Sequence, residues 1–405
     1  MQNKHIGVFS LPVIVGALGF FVDIYDLLLY NIVRKPSLQS LGLDAGRVLT
    51  TGENILSIQM IGILVGGIAW GIMGDKRGRK SVLFGSILLY SLASLGTGMV
   101  ATVNQYMLLR FIAGVGLAGE LGASITLTAE ILPKEKRGIA AAVIATSGVM
   151  GTIVAYFIYN RFHDWRLCYY LGGAMGLLLL VLRLRFLESE MFEQVKKTNI
   201  RRGNFFMFFT SRERLLRYLR GVLIGLPVWY VIGILVTFSD QFAKEFGLDE
   251  LDPGKAVMYQ YAGLAFGDLA AGIISNLIRS RKKTLLLFYG MMCVFVTVYF
   301  LFHSTTSLFY LTCTALGFAS GLSVLYITMA AEQFGTNLRA AAAISIPNVV
   351  RGFLPLIILL FKGLRTFTGF VAGGWITGII ILTTGFVAAI FTRESFGKDM
   401  NFLEL

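Results

Sequence analysis

The sequence predicts an all-α membrane protein in which twelve transmembrane helices form two six-helix, pseudo-symmetric bundles. Three observations support this fold class: an apolar composition, apolar runs of membrane-spanning length, and echoes of the first half in the second. Hydrophobic residues make up 56% of the 405 residues and charged residues only 15%, whereas about a quarter of an average soluble domain is charged. Such a composition is typical of a protein whose surface largely faces lipid.

The apolar runs define twelve predicted spans. A run of about 20 residues crosses the hydrocarbon core as an α-helix, and the first and third runs show no alternation of the kind found in barrel strands. The spans cover residues 11–33, 53–73, 81–101, 105–131, 139–160, 165–186, 218–241, 255–278, 284–303, 306–331, 340–361 and 368–392. The predicted domains are a bundle over 1–186, a cytoplasmic linker over 187–217 and a second bundle over 218–405.

Basic residues accumulate on one side of the predicted membrane. With the N-terminus inside, the cytoplasmic segments and the span ends next to them hold 25 of the 36 lysines and arginines, and the opposite side, counted in the same way, holds 9. This bias predicts an inner-membrane protein with both termini in the cytoplasm. It also explains the net charge of +13 without a nucleic-acid partner. The basic, aromatic-rich stretch over 196–217 is interpreted as a linker that lies on the anionic inner leaflet of the bilayer.

The two halves repeat each other at a nearly constant distance along the chain. "AEILPKEKRG" (129–138) recurs as "AEQFGTNLRA" (331–340), and "GRKSVLFGS" (78–86) has a weaker echo in "RKKTLLLFYG" (281–290). Near the ends of the halves, "LESEMFEQ" (187–194) is answered by "RESFGKDMNFLE" (393–404). Repeats of this kind are found in secondary transporters, where two related bundles enclose a central site.

Two further motifs, in the first half of the chain, carry a family resemblance. "GDKRGRK" (74–80) and "RFIAGVGLAGE" (110–120) resemble the loop and fourth-span signatures of the major facilitator superfamily, and the resemblance extends over nearly the whole chain. Within it, "FVDIYDLLLY" (21–30) and "GELGASITLTAE" (119–130) resemble the metabolite:proton symporter and sugar-porter branch, with phosphate:proton symporters as near competitors. The resemblance implies a transporter that alternates between outward and inward states, needs no cofactor and can act as a monomer.

The loop signature implies a set of cytoplasmic gating residues. Asp75 can interact with the positive end of a helix, Arg79 can reach a carboxylate, and the glycines permit a tight turn. Glu130 at the end of the fourth span and its repeat mate Glu332 are interpreted as gate or structural ion-pair residues. The full set of gating candidates is Gly74, Asp75, Gly78, Arg79, Glu130, Arg137, Glu332 and Arg339.

Four charged residues are expected deeper in the membrane. Glu120 precedes Glu130 by ten residues, about 15 Å along a helix, which places it near mid-membrane. Asp23 and Asp26 share a face of the first span, and Asp26 matches the depth of Arg110. Ionisable residues at this depth usually mark a transport pathway. The sequence therefore predicts proton coupling by Asp23, Asp26, Arg110 and Glu120, with a static ion pair and cation coordination as the alternatives.

The second half supplies most of the candidates for substrate binding. Asp268 and Arg351 interrupt the eighth and eleventh spans. They are expected to form a permanent pair, to form a site in which Arg351 binds a carboxylate or phosphate, or to act in gating. Pro347 and Pro355 flank Arg351 and predict a discontinuous helix. In the branch that the sequence resembles, small residues usually stand where this chain has Arg351. The remaining substrate candidates are Tyr30, Trp229, Tyr230 and Asn348.

Enzymatic activity is not predicted. There is no nucleophile with an adjacent base, and "GVGLAG" (114–119) lies within an apolar span, where close glycines favour helix packing. Cys168, Cys293 and Cys313 fall in apolar segments, so neither a disulfide nor a metal site is expected. The predicted function is proton-coupled uptake of a small organic anion of the carboxylate type. The alternatives are a proton-coupled exporter of a drug-like, cationic or chelating solute and a non-transporting receptor on the same scaffold.

Overall fold

The computed structural model describes residues 11–77, 79–131, 134–187, 205–248, 251–302, 304–335, 338–397 and 404. Six long helices make up the first half of the chain, and each contains one of the first six predicted spans or nearly all of it. They are α1 (Leu11–Ser40), α2 (Ala45–Arg77), α3 (Arg79–Gly98), α4 (Val103–Ile131), α5 (Lys134–Phe162) and α6 (Trp165–Leu187).

The second half contains more helices than the six predicted spans because several spans are interrupted. A short 3₁₀ helix over Phe205–Phe209 precedes α7 (Arg212–Tyr230), which continues as a π-helical segment over Val231–Val236. The remaining helices are α8 (Ser239–Glu245), α9 (Pro253–Ile278), α10 (Arg281–Leu301), α11 (Thr306–Ala319), α12 (Leu322–Gln333), α13 (Arg339–Gly352), α14 (Leu354–Thr368) and α15 (Phe370–Ile390). The tenth span thus breaks between α11 and α12, and the eleventh at Phe353.

The break in the eleventh span follows from one of its prolines. Pro355 is the second residue of α14, where a missing N–H is tolerated because the first turn of a helix has no intrahelical acceptor for it. The amide of Phe353 donates to the carbonyl of Val349 at 3.0 Å and closes α13. The predicted discontinuity beside Arg351 is therefore present.

Nine helical segments within the described residues are long and apolar enough to cross a membrane. The predicted spans 105–131 and 139–160 run partly through side chains outside the described set, and Phe84–Gly98 is a shorter apolar helix. This all-α, multi-span architecture agrees with the predicted fold class.

The chain divides into two compact units. The first comprises Met1–Tyr30 and Gly62–Arg201, and the second comprises Asn31–Ile61 and Arg202–Leu405. The ends of α1 and α2 that meet at Leu41–Asp44 therefore belong, by their contacts, to the second unit. Most of the predicted linker 187–217 lies outside the described residues, and the domain limits inferred from the sequence stay a prediction.

Each unit contains the same close helix crossing. In both, two glycines four residues apart lie against the backbone of a second helix, so that any side chain at these positions would collide with it. The contacts are Gly62 with Phe111 and Gly66 with Val115 between α2 and α4, and Gly263 with Thr314 and Gly267 with Phe318 between α9 and α11. Small residues allow this approach in membranes. Equivalent positions in the two crossings lie about as far apart along the chain as the repeated sequence motifs do. The internal repeat is therefore visible in helix packing as well as in the sequence.

Buried ion pairs hold the segment Asn31–Ile61 within the second unit. Arg34, which is fully buried, donates to Asp240 at 2.6 Å and to the carbonyl of Thr237 at 3.2 Å. Its guanidinium also lies 4.7 Å from the ring centroid of Phe238. On α2, the buried carboxylate of Glu53 pairs with Arg365 and, at 3.4 Å, with Lys362. The sequence analysis did not find these contacts, because their partners lie far apart along the chain.

We expect Asp240→Asn to destabilise the protein by about 3–5 kcal/mol, because it leaves the Arg34 guanidinium buried without a counter-charge. The measurement is thermal or chemical unfolding of the purified protein. The double variant Arg34→Gln/Asp240→Asn removes the uncompensated charge and should recover most of the loss. Equal stability of the single variant and the wild type would show that the pair does not hold this segment.

Candidate functional site

The first unit contains a buried ion pair between α1 and α4. Asp26 and Arg110 are both fully buried, and Arg110 Nη1 lies 3.4 Å from Asp26 Oδ2. The other carboxylate oxygen accepts a short hydrogen bond from Ser94. Arg110 Nη2 donates to the hydroxyls of Ser94 at 3.2 Å and Thr97 at 3.1 Å. The two residues that the sequence placed at the same depth are therefore in contact.

Aromatic side chains enclose this pair. The Arg110 guanidinium lies 4.6 Å from the ring centroid of Tyr169, whose hydroxyl is 2.8 Å from that of Tyr106. Tyr30, predicted to bind substrate, packs edge-on against Tyr106 with ring centroids 5.7 Å apart. Arg110 Nε has no hydrogen-bond partner within the described residues. Because both charges are fully buried, where the dielectric constant is low, a change in the charge of Asp26 would strongly affect Arg110.

The sequence analysis missed the hydroxyl partners of the pair, although a signal for them is present. Ser91, Ser94 and Thr97 recur every three residues in α3, which places them along one face of the helix. That face supplies two of the groups that bind Arg110. A polar stripe on an otherwise apolar span would have indicated a buried charge on a neighbouring helix.

The other coupling and gating candidates of the first half are described only in part. Asp23 is buried one turn before Asp26 on α1. Gly78 and the side chains of Asp75, Arg79, Glu120, Glu130 and Arg137, together with Gly74, lie outside the described residues. Their assignments to proton coupling and gating remain predictions.

The second unit presents Arg351 beside an aromatic side chain. Arg351 is the second-to-last residue of α13 and retains only 8% exposure. Its guanidinium lies 5.6 Å from the ring centroid of Trp229, which is 5% exposed. Tyr261 and Tyr326 lie within electrostatic range of both Arg351 and Asp268. These aromatic groups and the cation could together bind a flat anionic molecule.

The elements around Arg351 are irregular. Trp229 is the second-to-last residue of α7, which continues into the π-helical segment Val231–Val236, and such segments are frequent at functional sites. Asn348, one turn before Arg351, is buried. Tyr230, predicted as the partner of Trp229, instead donates its hydroxyl to the carbonyl of Gly374 on α15 at 2.8 Å, so that its polar atom is engaged in helix packing.

Asp268 and Arg351 do not form an ion pair among the described residues. One carboxylate oxygen of Asp268 accepts from the Ser323 hydroxyl at 2.8 Å, and the backbone amide of Val324 lies near the same carboxyl. Both residues lie in the first turn of α12, where unsatisfied amides and the helix dipole favour a negative group. The permanent pair considered from the sequence is therefore absent in this state. Asp268 stabilises the start of α12, and Arg351 has no carboxylate partner in the described part of the chain.

The predicted gating residue Glu332 lies in an ionic cluster of the second unit. Its carboxylate pairs with Arg281 at 3.2 Å and accepts from the hydroxyl of Ser395 at 2.6 Å. Arg281 follows Arg79, and Glu332 follows Glu130, by the spacing of the internal repeat. This contact therefore joins the repeat counterparts of two predicted gating residues of the first half. Arg339 donates to the carbonyl of Ala331 at 3.1 Å.

Glu394 completes this end of the second unit and lies beyond the last span. It accepts from the hydroxyl of Ser280 and from the amides of Arg281 at 2.9 Å, Phe396 at 3.0 Å and Lys282 at 3.2 Å. Burial alone would raise the pKa of this carboxyl, but these hydrogen bonds favour the ionised form and lower its pKa to about 2. Because the pKa is lower in the folded state, the carboxylate stabilises the fold above about pH 4.5, and this contribution is lost as the pH falls towards 2.

We therefore expect Glu394→Gln to lower the melting temperature at neutral pH and to lose its effect in acid. The difference from wild type should shrink as the pH falls from about 4.5 to about 2, because protonation removes the same interaction from the wild type. Melting curves across this range are the measurement, and Glu213→Gln, at an exposed carboxylate, is the control. A difference that does not vary with pH would contradict this account.

The architecture and these sites define a class of protein. The fold combines multi-span helical units with buried charges inside membrane helices, which is the arrangement of a membrane transporter. The chain belongs to the Major Facilitator Superfamily, whose sequence profile matches residues 16–357. The predicted family and fold are confirmed, and the family is one of transporters, not enzymes.

This chain is also similar to individual transporters and to solved structures. A cis,cis-muconate transport protein of Acinetobacter baylyi is 24% identical over 97% of each chain. A 3-(3-hydroxy-phenyl)propionate transporter of Escherichia coli is 28% identical over 59% of each chain. Among solved structures, a D-xylose-proton symporter superposes with a TM-score of 0.70 over 95% of this chain and 98% of its own, at 17% identity. The last comparison supports the fold alone.

Proposed function

We propose that this transporter carries a small carboxylate into the cell together with protons, with Arg351 as the group that binds the carboxylate. The observation that carries the proposal is the state of Arg351: a buried cation inside a membrane helix whose expected partner, Asp268, is bound to α12. A buried charge without a partner is costly, so an anionic ligand would stabilise it. The guanidinium geometry suits a carboxylate.

Aromatic groups and two relatives favour an organic acid over an inorganic anion. Trp229 lies over the Arg351 guanidinium, and Tyr261 and Tyr326 are close by, so an apolar or conjugated body could pack beside the charge. The two relatives named above transport muconate and hydroxyphenylpropionate, both of which are carboxylates. Proton coupling is assigned to the Asp26–Arg110 pair of the first unit, with Asp23 and Glu120 as further candidates.

The test uses vesicles that contain the purified protein and a pH-sensitive dye. They are challenged in turn with aromatic carboxylates, short aliphatic carboxylates, phosphate, amino acids, sugars and cationic compounds. The proposal expects acidification of the lumen on addition of carboxylates and of no other class. Silence with carboxylates, together with alkalinisation by a cationic solute, would favour the exporter and make Arg351 a structural residue.

A further inference from the structure

A surface groove lies between α7 and α15, away from the candidate sites. It is an open groove of about 460 Å³, lined by Arg220, Leu223, Thr383, Thr384, Val387, Ala388 and Phe391. Val387 and Phe391 are 44% and 66% exposed, as expected of side chains in contact with lipid. The groove therefore opens towards the membrane.

Arg220 places a positive charge inside this apolar groove. It lies within the membrane-spanning segment Arg212–Val236, eight residues or about 12 Å from the start of α7. No ion pair of Arg220 is found among the described residues. Two acids near the start of α7 form ion pairs with other arginines. Glu213 pairs with Arg217 at 3.3 Å and Arg393 at 3.4 Å, and Glu404, from the end of the chain, pairs with Arg217 at 2.6 Å.

An arginine in a membrane span normally pairs with another charge or faces a water-filled cavity. Arg220 has neither a carboxylate partner in the described part of the chain nor an enclosed position. Its long side chain can extend along the groove towards the lipid headgroups. By the distribution of basic residues, the start of α7 is cytoplasmic, and the cytoplasmic leaflet carries the anionic lipids. An anionic lipid headgroup can therefore supply the counter-charge that Arg220 lacks among the described residues.

We propose that the groove binds an anionic phospholipid of the cytoplasmic leaflet. Arg220 binds the headgroup phosphate, for which a guanidinium provides paired donors. An acyl chain extends from it towards the middle of the membrane along Leu223, Val387 and Thr383, which line the same groove. Basic grooves between membrane helices on the cytoplasmic side are suited to this class of lipid.

The test measures lipid binding by the purified, delipidated full-length protein. Phosphatidylglycerol and phosphatidylcholine are titrated separately, and binding is followed by lipid adducts in native mass spectrometry and by melting temperature. Arg220→Gln is expected to weaken phosphatidylglycerol binding about fivefold to tenfold and to leave phosphatidylcholine unchanged. Val387→Trp fills the groove from an exposed position and should have a similar effect on phosphatidylglycerol. Arg212→Gln removes a cation of the same helix outside the groove and should bind as wild type.

Three results would overturn the proposal. One is a wild type that does not distinguish the two lipids, and another is an Arg220→Gln variant with unchanged phosphatidylglycerol affinity. The third is protection by inorganic phosphate alone, equal to that by phosphatidylglycerol, which would assign Arg220 to a free anion. Light scattering adds a separate readout: a dimer that Val387→Trp converts to monomers would make a second copy of the chain the occupant and would also refute the lipid.

Discussion

Replacing Arg351 by glutamine is expected to weaken the apparent affinity for a carboxylate substrate by at least about 30-fold. Loss of a buried charge that binds a ligand anion typically costs about 2–5 kcal/mol, and each 1.4 kcal/mol is a factor of ten. The same change should not lower the melting temperature, because Arg351 has no carboxylate partner to lose within the described residues. Loss of transport with retained stability is the combined signature of a ligand-binding cation.

Two further variants separate binding from structure at this site. Arg351→Lys keeps the charge but loses the planar, forked donors and part of the interaction with Trp229, so its affinity should fall between those of wild type and Arg351→Gln. Asp268→Asn should lower the melting temperature because Asp268 binds the first turn of α12. If Arg351→Gln instead lowers stability and leaves the affinity for carboxylates unchanged, Arg351 is a structural residue. Uptake and counterflow in vesicles provide the affinities.

Features that depend on local composition could be predicted from this sequence. The spans follow from apolar length, and the break in the eleventh span follows from Pro355, whose missing amide proton is tolerated in the first turn of a helix, whereas Pro347 lies inside α13. The contact of Asp26 with Arg110 was expected because depth along two helices can be counted from their ends. Each of these inferences uses only the spacing of residues along one or two spans.

Features that depend on where helices break could not be predicted in the same way. The sequence analysis treated residues 306–331 as one span, but the chain forms α11 and α12 with a break at Ser320–Gly321. That break creates a helix start at which the Ser323 hydroxyl binds Asp268 and the amide of Val324 lies near the same carboxyl. Arg34 and Asp240 were likewise assigned to separate segments, although they form a buried pair at 2.6 Å. In both cases the partner is determined by tertiary packing, which spacing does not reveal.

Replacing Asp26 by asparagine is expected to abolish accumulation driven by a pH gradient. Asp26 is the carboxylate that contacts Arg110, and we assign to this pair the protonation step that shifts the balance between transport states. Among the described residues, the variant also leaves Arg110 buried with hydroxyl and aromatic neighbours but no counter-charge, which costs about 3–5 kcal/mol of stability. A single variant therefore cannot separate lost coupling from a damaged fold.

The double variant Asp26→Asn/Arg110→Gln separates the two effects. It replaces the buried ion pair by neutral side chains of similar size, so the melting temperature should return close to that of wild type. If protonation of Asp26 couples proton movement to transport, the double variant should exchange substrate by counterflow but fail to concentrate it on a pH gradient. If it concentrates substrate as wild type does, the pair is a static contact, and coupling must reside in Asp23 or Glu120. Arg110 also donates to Ser94 and Thr97, so Arg110→Gln removes these hydrogen bonds as well. Either result can be interpreted only if the double variant recovers the stability of the wild type.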